Sequence, residues 1–425
     1  MQRLIARVSI AWLLLANVIG LWLASLLLWP RLGDGVAPFT YGRWMPLHMD
    51  WQLYGWCSLP LLGILAVWYW NHNDKALERA RLAFALWSAA LLVGGIYWLL
   101  GEAVGKPFLN WAGASRWFFA GTLVAIWLLL CRGWWEGSKR TFRSKGERLG
   151  IWIRGIVAAA LGVVPFVLYF VSDTRVYPPV DPDSGGATGH SLLASTLGIV
   201  ALMGGLPRFG LGLGIAAESE KSAILRERVY WMFYGVSIVV YLLIQHGDAS
   251  NRHFDQIAGL GSLLVWPLLL LWYWRVFQWS PSSRWWRVAF FFWWAMLALD
   301  GWVSFLPGVL EFVKFTNAMV AHAHLAMAGM VTGLNMIILL ELGSDDVSRA
   351  SLSRPLWCVV WNFALLAFVV VLTLQGVREG QQPGRLFYFD EATEIIYGVR
   401  WASGALMVLC SLVWLGGLVK RRDVR

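Results

Sequence analysis

The sequence predicts an all-α polytopic membrane protein: one domain over residues 1–425, a bundle of twelve transmembrane helices, with no soluble domain. Hydrophobic residues make up 58% of the chain and charged residues only 14%, whereas soluble domains carry about 25% charged residues. Apolar stretches of spanning length recur from one end of the chain to the other. The 30 tryptophans suit a protein with many side chains at the membrane interface.

Each predicted span is a stretch of about 20 mostly apolar residues, the length needed to cross the hydrocarbon core. We predict spans at residues 8–29, 46–70, 82–100, 115–131, 151–172, 190–206, 229–246, 257–274, 286–306, 317–340, 356–375 and 397–418.

The basic residues alternate between the segments that connect these spans. If the N-terminus is cytoplasmic, 25 of the 35 lysines and arginines lie on the inner side. The positive-inside rule therefore predicts a multi-pass protein of a bacterial-type inner membrane with both termini in the cytoplasm. The net charge of +10 is thereby attributed to cytoplasmic loops and not to nucleic-acid binding.

The four cysteines stand far apart in the sequence, at positions 57, 131, 358 and 410. None of them forms a C-x-x-C pair, so the sequence contains no zinc ribbon, no thioredoxin motif and no site for covalent attachment of a c-type haem.

Five of the seven histidines are predicted to lie at one depth, near the outer face of the membrane, on four different helices. They are His48, His190, His246, His322 and His324. One such histidine alone is equally well explained as a satisfied polar residue near the interface. Five at one depth indicate function, because ionisable residues in membranes are costly and imidazole is a common ligand of haem iron and copper.

The spacing of His322 and His324 predicts two separate cofactors. Residues i and i+2 of a helix differ by about 200° around its axis, so the two rings leave opposite sides and cannot share one metal. Two histidines of one helix that face different cofactors suggest two haems side by side.

Several segments of the chain resemble subunit I of the haem-copper oxidase superfamily, closest to the C-family (cbb-type) cytochrome c oxidases and the nitric oxide reductase large subunit. The resemblance covers nearly the whole chain and is strongest at the tenth predicted span. The matching segments are residues 46–48 with 53–55, 189–190 with 204–208, 315–318 with 320–326, and 374–376 with 399–400.

This resemblance implies a ligand set for two haems and a second metal. His48 and His324 would be the axial ligands of a low-spin haem b. His322 would be the single ligand of a high-spin haem, also b-type. His190 and His246 would bind copper, or alternatively iron, beside it, and Tyr241 would be the catalytic redox-active tyrosine.

The resemblance also implies a respiratory terminal oxidase that reduces oxygen to water. Because no c-type haem motif occurs in the chain, electrons would come from a membrane-anchored cytochrome c subunit.

The sequence departs from the family at the second metal. Where the family has two adjacent histidines, the chain has His246 followed by Gly247. His253 or Asp248 could substitute as the third ligand, and a solvated loop histidine is the alternative explanation for His253. Tyr241 stands one position short of the tyrosine of C-family enzymes, and an ordinary buried aromatic residue is an equal explanation. The sixth span has Ala194 where other oxidases carry their tyrosine, and it lacks the glutamate of nitric oxide reductases.

Three functions therefore stay open: a terminal oxidase, a nitric-oxide-reductase-like subunit with iron in the second site, and a non-catalytic membrane haem protein with a degenerate copper site. A transporter would need paired broken helices, which the sequence does not indicate. Among the charged residues, Arg378, Arg385 and Arg400 are candidates to pair with haem propionates, and Asp300 is a candidate for a proton path.

Overall fold

The computed structural model describes residues 1–71, 74–139, 145–176, 189–216, 220–246, 254–343, 346–387 and 390–419. Regular structure in these ranges is helical, apart from one antiparallel bridge between Ile215 and Phe277.

The long helices are numbered α1 to α12 in chain order, and short helical turns between them are left unnumbered. They are α1 Gln2–Leu28, α2 Tyr41–Trp70, α3 Ala76–Leu99, α4 Gly113–Ser138, α5 Arg148–Val171, α6 Gly189–Gly210, α7 Glu220–Leu243, α8 Phe254–Trp274, α9 Arg284–Ser304, α10 Asn317–Leu342, α11 Pro355–Gln381 and α12 Glu391–Val419.

Ten of these helices are long and apolar enough to cross a membrane, which confirms the prediction of a polytopic helical membrane protein. The seventh and ninth predicted spans fall on α7 and α9, which are helices but are less apolar than the other ten. Charged residues lie in the first turns of α7, and α9 carries five tryptophans and Asp300. Twelve crossings therefore stay a prediction.

Internal contacts divide the chain into two compact units. The first contains residues 1–186, 343–351 and 411–425, and the second contains residues 187–342 and 352–410. The first unit therefore holds α1 to α5, and the second holds α6 to α11 with most of α12.

Polar pairs join the helices of the first unit at selected points. The Asn17 side chain of α1 donates to the Ser411 hydroxyl at 2.9 Å and accepts from the Gln52 amide of α2 at 2.8 Å. Arg79 of α3 makes a two-pronged ion pair with Glu136 of α4, with both N–O distances 2.8 Å. Paired polar groups of this kind fix the rotation of one helix against the next, because each would be costly to leave unpaired in an apolar surrounding.

In the second unit, tryptophan side chains tie neighbouring helices together through their indole N–H groups. A buried indole N–H needs an acceptor, and here it is a backbone carbonyl of an adjacent helix. The pairs are Trp274 with Met203 at 3.1 Å, Trp302 with Ile257 at 3.1 Å and Trp361 with Ala328 at 2.9 Å.

Glycines bring α10 close to the helices on either side of it. A Cβ atom at Gly333 would lie 2.9 Å from the Cα of Phe290 in α9, and one at Gly376 in α11 would lie 2.6 Å from the Cβ of Ala318. Small residues at such contacts let helix backbones approach closely. The helix that carries His322 and His324 is thereby held tightly on both sides.

Two of the histidine-bearing helices change to π-helical geometry just after the histidine. The wide turn of α2 covers Trp51–Cys57 and follows His48, and that of α10 covers Leu325–Val331 and follows His324 directly. Such turns are rare and are often found at functional sites.

Candidate functional site

His48, in the first unit, is held by α1. Its Nδ1 lies 2.9 Å from the carbonyl oxygen of Ala16. A carbonyl oxygen can only accept, so Nδ1 carries the proton and Nε2 carries the lone pair. Gly20, one turn further along α1, faces the same ring, since a Cβ there would lie 2.6 Å from its Cε1 atom. The α1 helix therefore sets both the tautomer and the position of this imidazole.

His322, in the second unit, is paired with a carboxylate of α9. Its Nδ1 lies 2.7 Å from Oδ2 of Asp300. The carboxylate accepts a hydrogen bond from the Nδ1–H and fixes the ring orientation, as carboxylates do for metal-bound histidines. Gly301 faces the same ring, with its hypothetical Cβ 3.2 Å from Cε1.

His324 has different neighbours from His322, as the two-residue spacing predicts. Its Nδ1 lies 2.8 Å from the carbonyl oxygen of Val320, within the same helix. Its ring packs on Phe368 of α11 with the ring centroids 4.2 Å apart, and the Arg400 guanidinium lies 5.7 Å from the centre of the same phenyl ring. His322 thus contacts α9 and His324 contacts α11.

These three imidazoles fit the role of haem ligands. In each of them Nδ1 is engaged by an acceptor, so the tautomer presented is the one whose Nε2 can bind iron. His48 belongs to the first unit and the other two to the second, so assigning His48 and His324 to one haem stays a prediction from the sequence.

His190, His246 and Tyr241 form a second cluster in the second unit. The rings of His190 and His246 have their centroids 5.5 Å apart, and Tyr241 meets His246 edge to face at 4.8 Å. Metal–imidazole bonds of about 2 Å place the centroids of two imidazoles on one metal about 5 Å apart. The separation therefore fits two imidazole ligands of one ion, and Tyr241 lies beside them.

The helix that precedes His246 is shorter than the predicted span 229–246. It ends at Leu243, and His246 is exposed on the segment that follows. The described residues contain no group of three or more histidine, cysteine or acidic side chains placed to hold a metal ion. Gly247, Asp248 and His253, the residues named in the sequence analysis for the third ligand position, lie outside the described residues.

Asp300 has a partner in the structure that the sequence did not indicate. It is predicted from the sequence as part of a proton path, and the structure pairs it with His322. In the sequence, Asp300 is an acidic residue within an apolar helix. Such a residue indicates a functional role but does not show which residue it contacts. The partner lies 22 residues away along the chain, beyond the reach of any helical periodicity.

The arginines predicted to bind propionates lie near the end of α11 and on α12. Arg378 donates to Asp390, and this guanidinium holds the pKa of the Asp390 carboxyl below its usual range. Arg385 lies 4.0 Å from the same carboxylate. Arg378 also donates to the side-chain oxygen of Gln375 at 2.9 Å. The structure therefore shows both cations beside a carboxylate of the chain.

No protein-family model matches the chain, and no characterised protein matches it significantly.

Proposed function

We propose that this chain is the haem-binding subunit of a membrane oxidoreductase of the haem-copper oxidase type, which reduces oxygen to water. His322 would hold a high-spin haem b, His48 and His324 would hold a low-spin haem b, and His190 with His246 would bind copper. The observation that carries the proposal is the pair His322 and His324, which stand on one helix, each with Nδ1 engaged, against different neighbouring helices.

In this proposal, His48 and His324 would serve electron transfer, and His322 would serve substrate binding. A haem with one protein ligand can bind a diatomic molecule at its open position, whereas a haem with two histidine ligands passes single electrons. Asp300 would keep the His322 ring oriented by holding its Nδ1 proton. Phe368 would limit the rotation of the His324 ring by packing on its face.

Tyr241 would supply a proton and an electron near the second metal. Its ring meets the His246 ring edge to face, an arrangement that the offset of five residues along a helix left open. Electrons would enter from a membrane-anchored cytochrome c subunit, because the chain has no motif for a covalently bound haem.

The experiment is a metal and haem count on the protein purified with its partner, combined with oxygen uptake driven by reduced cytochrome c. After the c-type haem is subtracted, two irons, one copper and oxygen uptake would support the proposal. Three irons, no copper and reduction of nitric oxide would replace it by a nitric oxide reductase. A protein without b-type haem would overturn it.

A second candidate is a non-catalytic haem protein that transfers electrons but has lost the second metal. It is favoured by one observation from the sequence: Gly247 stands after His246 where the family has the second of two adjacent histidines. Two b-type haems with neither a third iron nor copper, and no uptake of oxygen or nitric oxide, would identify it.

A further inference from the structure

Three arginines and two tryptophans surround a cavity of about 480 Å³ between α8 and α9, and no histidine is among its lining residues. The arginines are Arg275, just after α8, and Arg284 and Arg287, in the first turn of α9; the tryptophans are Trp274 and Trp279. All five residues belong to the second unit.

The three guanidinium groups are not neutralised by the protein around them. Among the described residues, none of the three donates a hydrogen bond or forms an ion pair, and the Nε of Arg287 is buried without a partner. Arg287 lies 5.5 Å from the ring centre of Trp279. A buried guanidinium N–H without an acceptor is costly, so this geometry points to an anion that completes it.

Within the described ranges, the acid that acts on Arg287 is Glu341. Its carboxylate oxygens accept hydrogen bonds from the Ser280 backbone N–H at 3.1 Å and the Ser283 hydroxyl at 2.6 Å. The three arginines outnumber this one described acid, so the described lining of the cavity is cationic. A phosphate group matches it, because the arginine fork suits phosphate oxygens.

The apolar lining residues and the position of the cavity indicate which class of phosphate compound it would bind. Leu271, Val288 and Phe291 add apolar lining beside the arginines. The cavity lies where one membrane-spanning helix ends and the next long helix begins, which is the level of lipid headgroups. The distribution of basic residues predicts this side to be cytoplasmic, and the cytoplasmic leaflet is anionic.

We propose that this cavity binds the phosphate headgroup of an anionic phospholipid, with the guanidinium groups on the phosphate and the acyl chains along the apolar wall. The proposal does not depend on the oxidoreductase function. The alternative is that these arginines bind no lipid and only favour the cytoplasmic side for this loop.

The test uses the full-length protein, delipidated in detergent. Phosphatidylglycerol, phosphatidylcholine or inorganic phosphate is added, and retained lipid is counted by native mass spectrometry together with the melting temperature. We expect phosphatidylglycerol to be retained and to raise the melting temperature. Phosphatidylcholine or inorganic phosphate should do neither. Arg287→Gln should weaken phosphatidylglycerol binding about tenfold or more, the effect of losing a hydrogen bond between charged groups.

Two further variants keep the test independent of folding. The double variant Arg275→Gln, Arg284→Gln changes two exposed side chains and should also weaken binding. Arg228→Gln, at an exposed arginine of α7 that does not line the cavity, removes the same charge as Arg287→Gln and should leave binding unchanged. Equal retention of phosphatidylcholine, stabilisation by inorganic phosphate alone, or an equal loss in Arg228→Gln would overturn the proposal.

Discussion

The Nδ1 atoms of three histidines, each a proposed haem ligand, lie against three different acceptors. His48 uses a carbonyl of another helix, His324 a carbonyl of its own helix, and His322 a carboxylate. A carboxylate polarises an imidazole N–H more strongly than a carbonyl does, so in the proposed haem site His322 would be the strongest electron donor to iron. His322 is proposed to be the single protein ligand of the high-spin haem. With one protein ligand, the electron donation by that histidine would have the largest effect on the iron.

The first prediction separates the two neighbouring histidines. His324→Ala should abolish the optical signal of the low-spin haem while the high-spin haem still loads, and His322→Ala should do the reverse. The reason is that the two rings contact different helices. The measurement is the reduced-minus-oxidised spectrum together with a b-type haem count. Loss of the same haem in both variants would contradict the two-cofactor assignment.

The second prediction concerns the carboxylate behind His322. Asp300→Asn keeps the shape of the side chain but removes the charge that polarises the ring, so high-spin haem retention or activity should fall about 10- to 100-fold. The iron–histidine stretching frequency should fall as well, which a purely structural defect would not cause. Glu391→Gln, at an exposed acid of α12, is the matched control. An unchanged frequency in Asp300→Asn would show that the hydrogen bond does not tune the ligand.

At the level of helices, glycines and π-helical turns place the rings. Gly20 leaves room on α1 for the His48 ring, and Gly301 does the same on α9 for His322. The π-helical turns after His48 and His324 change the rotation of the helix beyond each histidine. Each of the three rings is therefore positioned by an adjacent helix as well as by its own.

The third prediction tests the role of Gly20. In Gly20→Ala the new methyl carbon would lie 2.6 Å from Cε1 of His48, so the ring must move and its hydrogen bond to Ala16 must lengthen or break. Low-spin haem retention should fall about tenfold. Gly121→Ala, at a helical position with open space around it, should leave the haem intact and stabilise the helix by up to about 1 kcal/mol. Equal haem spectra for both variants would refute the role of Gly20.

Across the molecule, the charge distribution predicts the orientation in the membrane. The inner segments carry 25 of the 35 basic residues, and the predicted outer segments carry the rest. The lipid cavity is proposed on the inner side, and the five histidines predicted at one depth on four helices are predicted near the outer side.

The fourth prediction tests this orientation directly. A green fluorescent protein fused to the C-terminus should fluoresce, because it folds in the cytoplasm. Alkaline phosphatase fused after Gly384, in the predicted outer segment between α11 and α12, should be active because it is exported. The reversed pattern, with an active phosphatase at the C-terminus, would invert the assignment.

Much of the architecture could be read from the amino-acid order. Ten predicted spans coincide with helices that are apolar and long enough to cross a membrane, because apolar length is a local property. The divergence of His322 and His324 follows from the helical period alone. The helices at the spans predicted for residues 229–246 and 286–306 are not among these ten, because their charged and tryptophan-rich segments lower the hydropathy.

The contacts between helices could not be read in this way. The helical period sets the angle between residues of one helix, but the rotation of one helix against another depends on packing. The pairing of Asp300 with His322, the approach of His190 to His246, and the meeting of Arg275, Arg284 and Arg287 at one cavity all depend on that rotation. The chemistry proposed for this protein lies in these contacts, and they form only when the helices are packed.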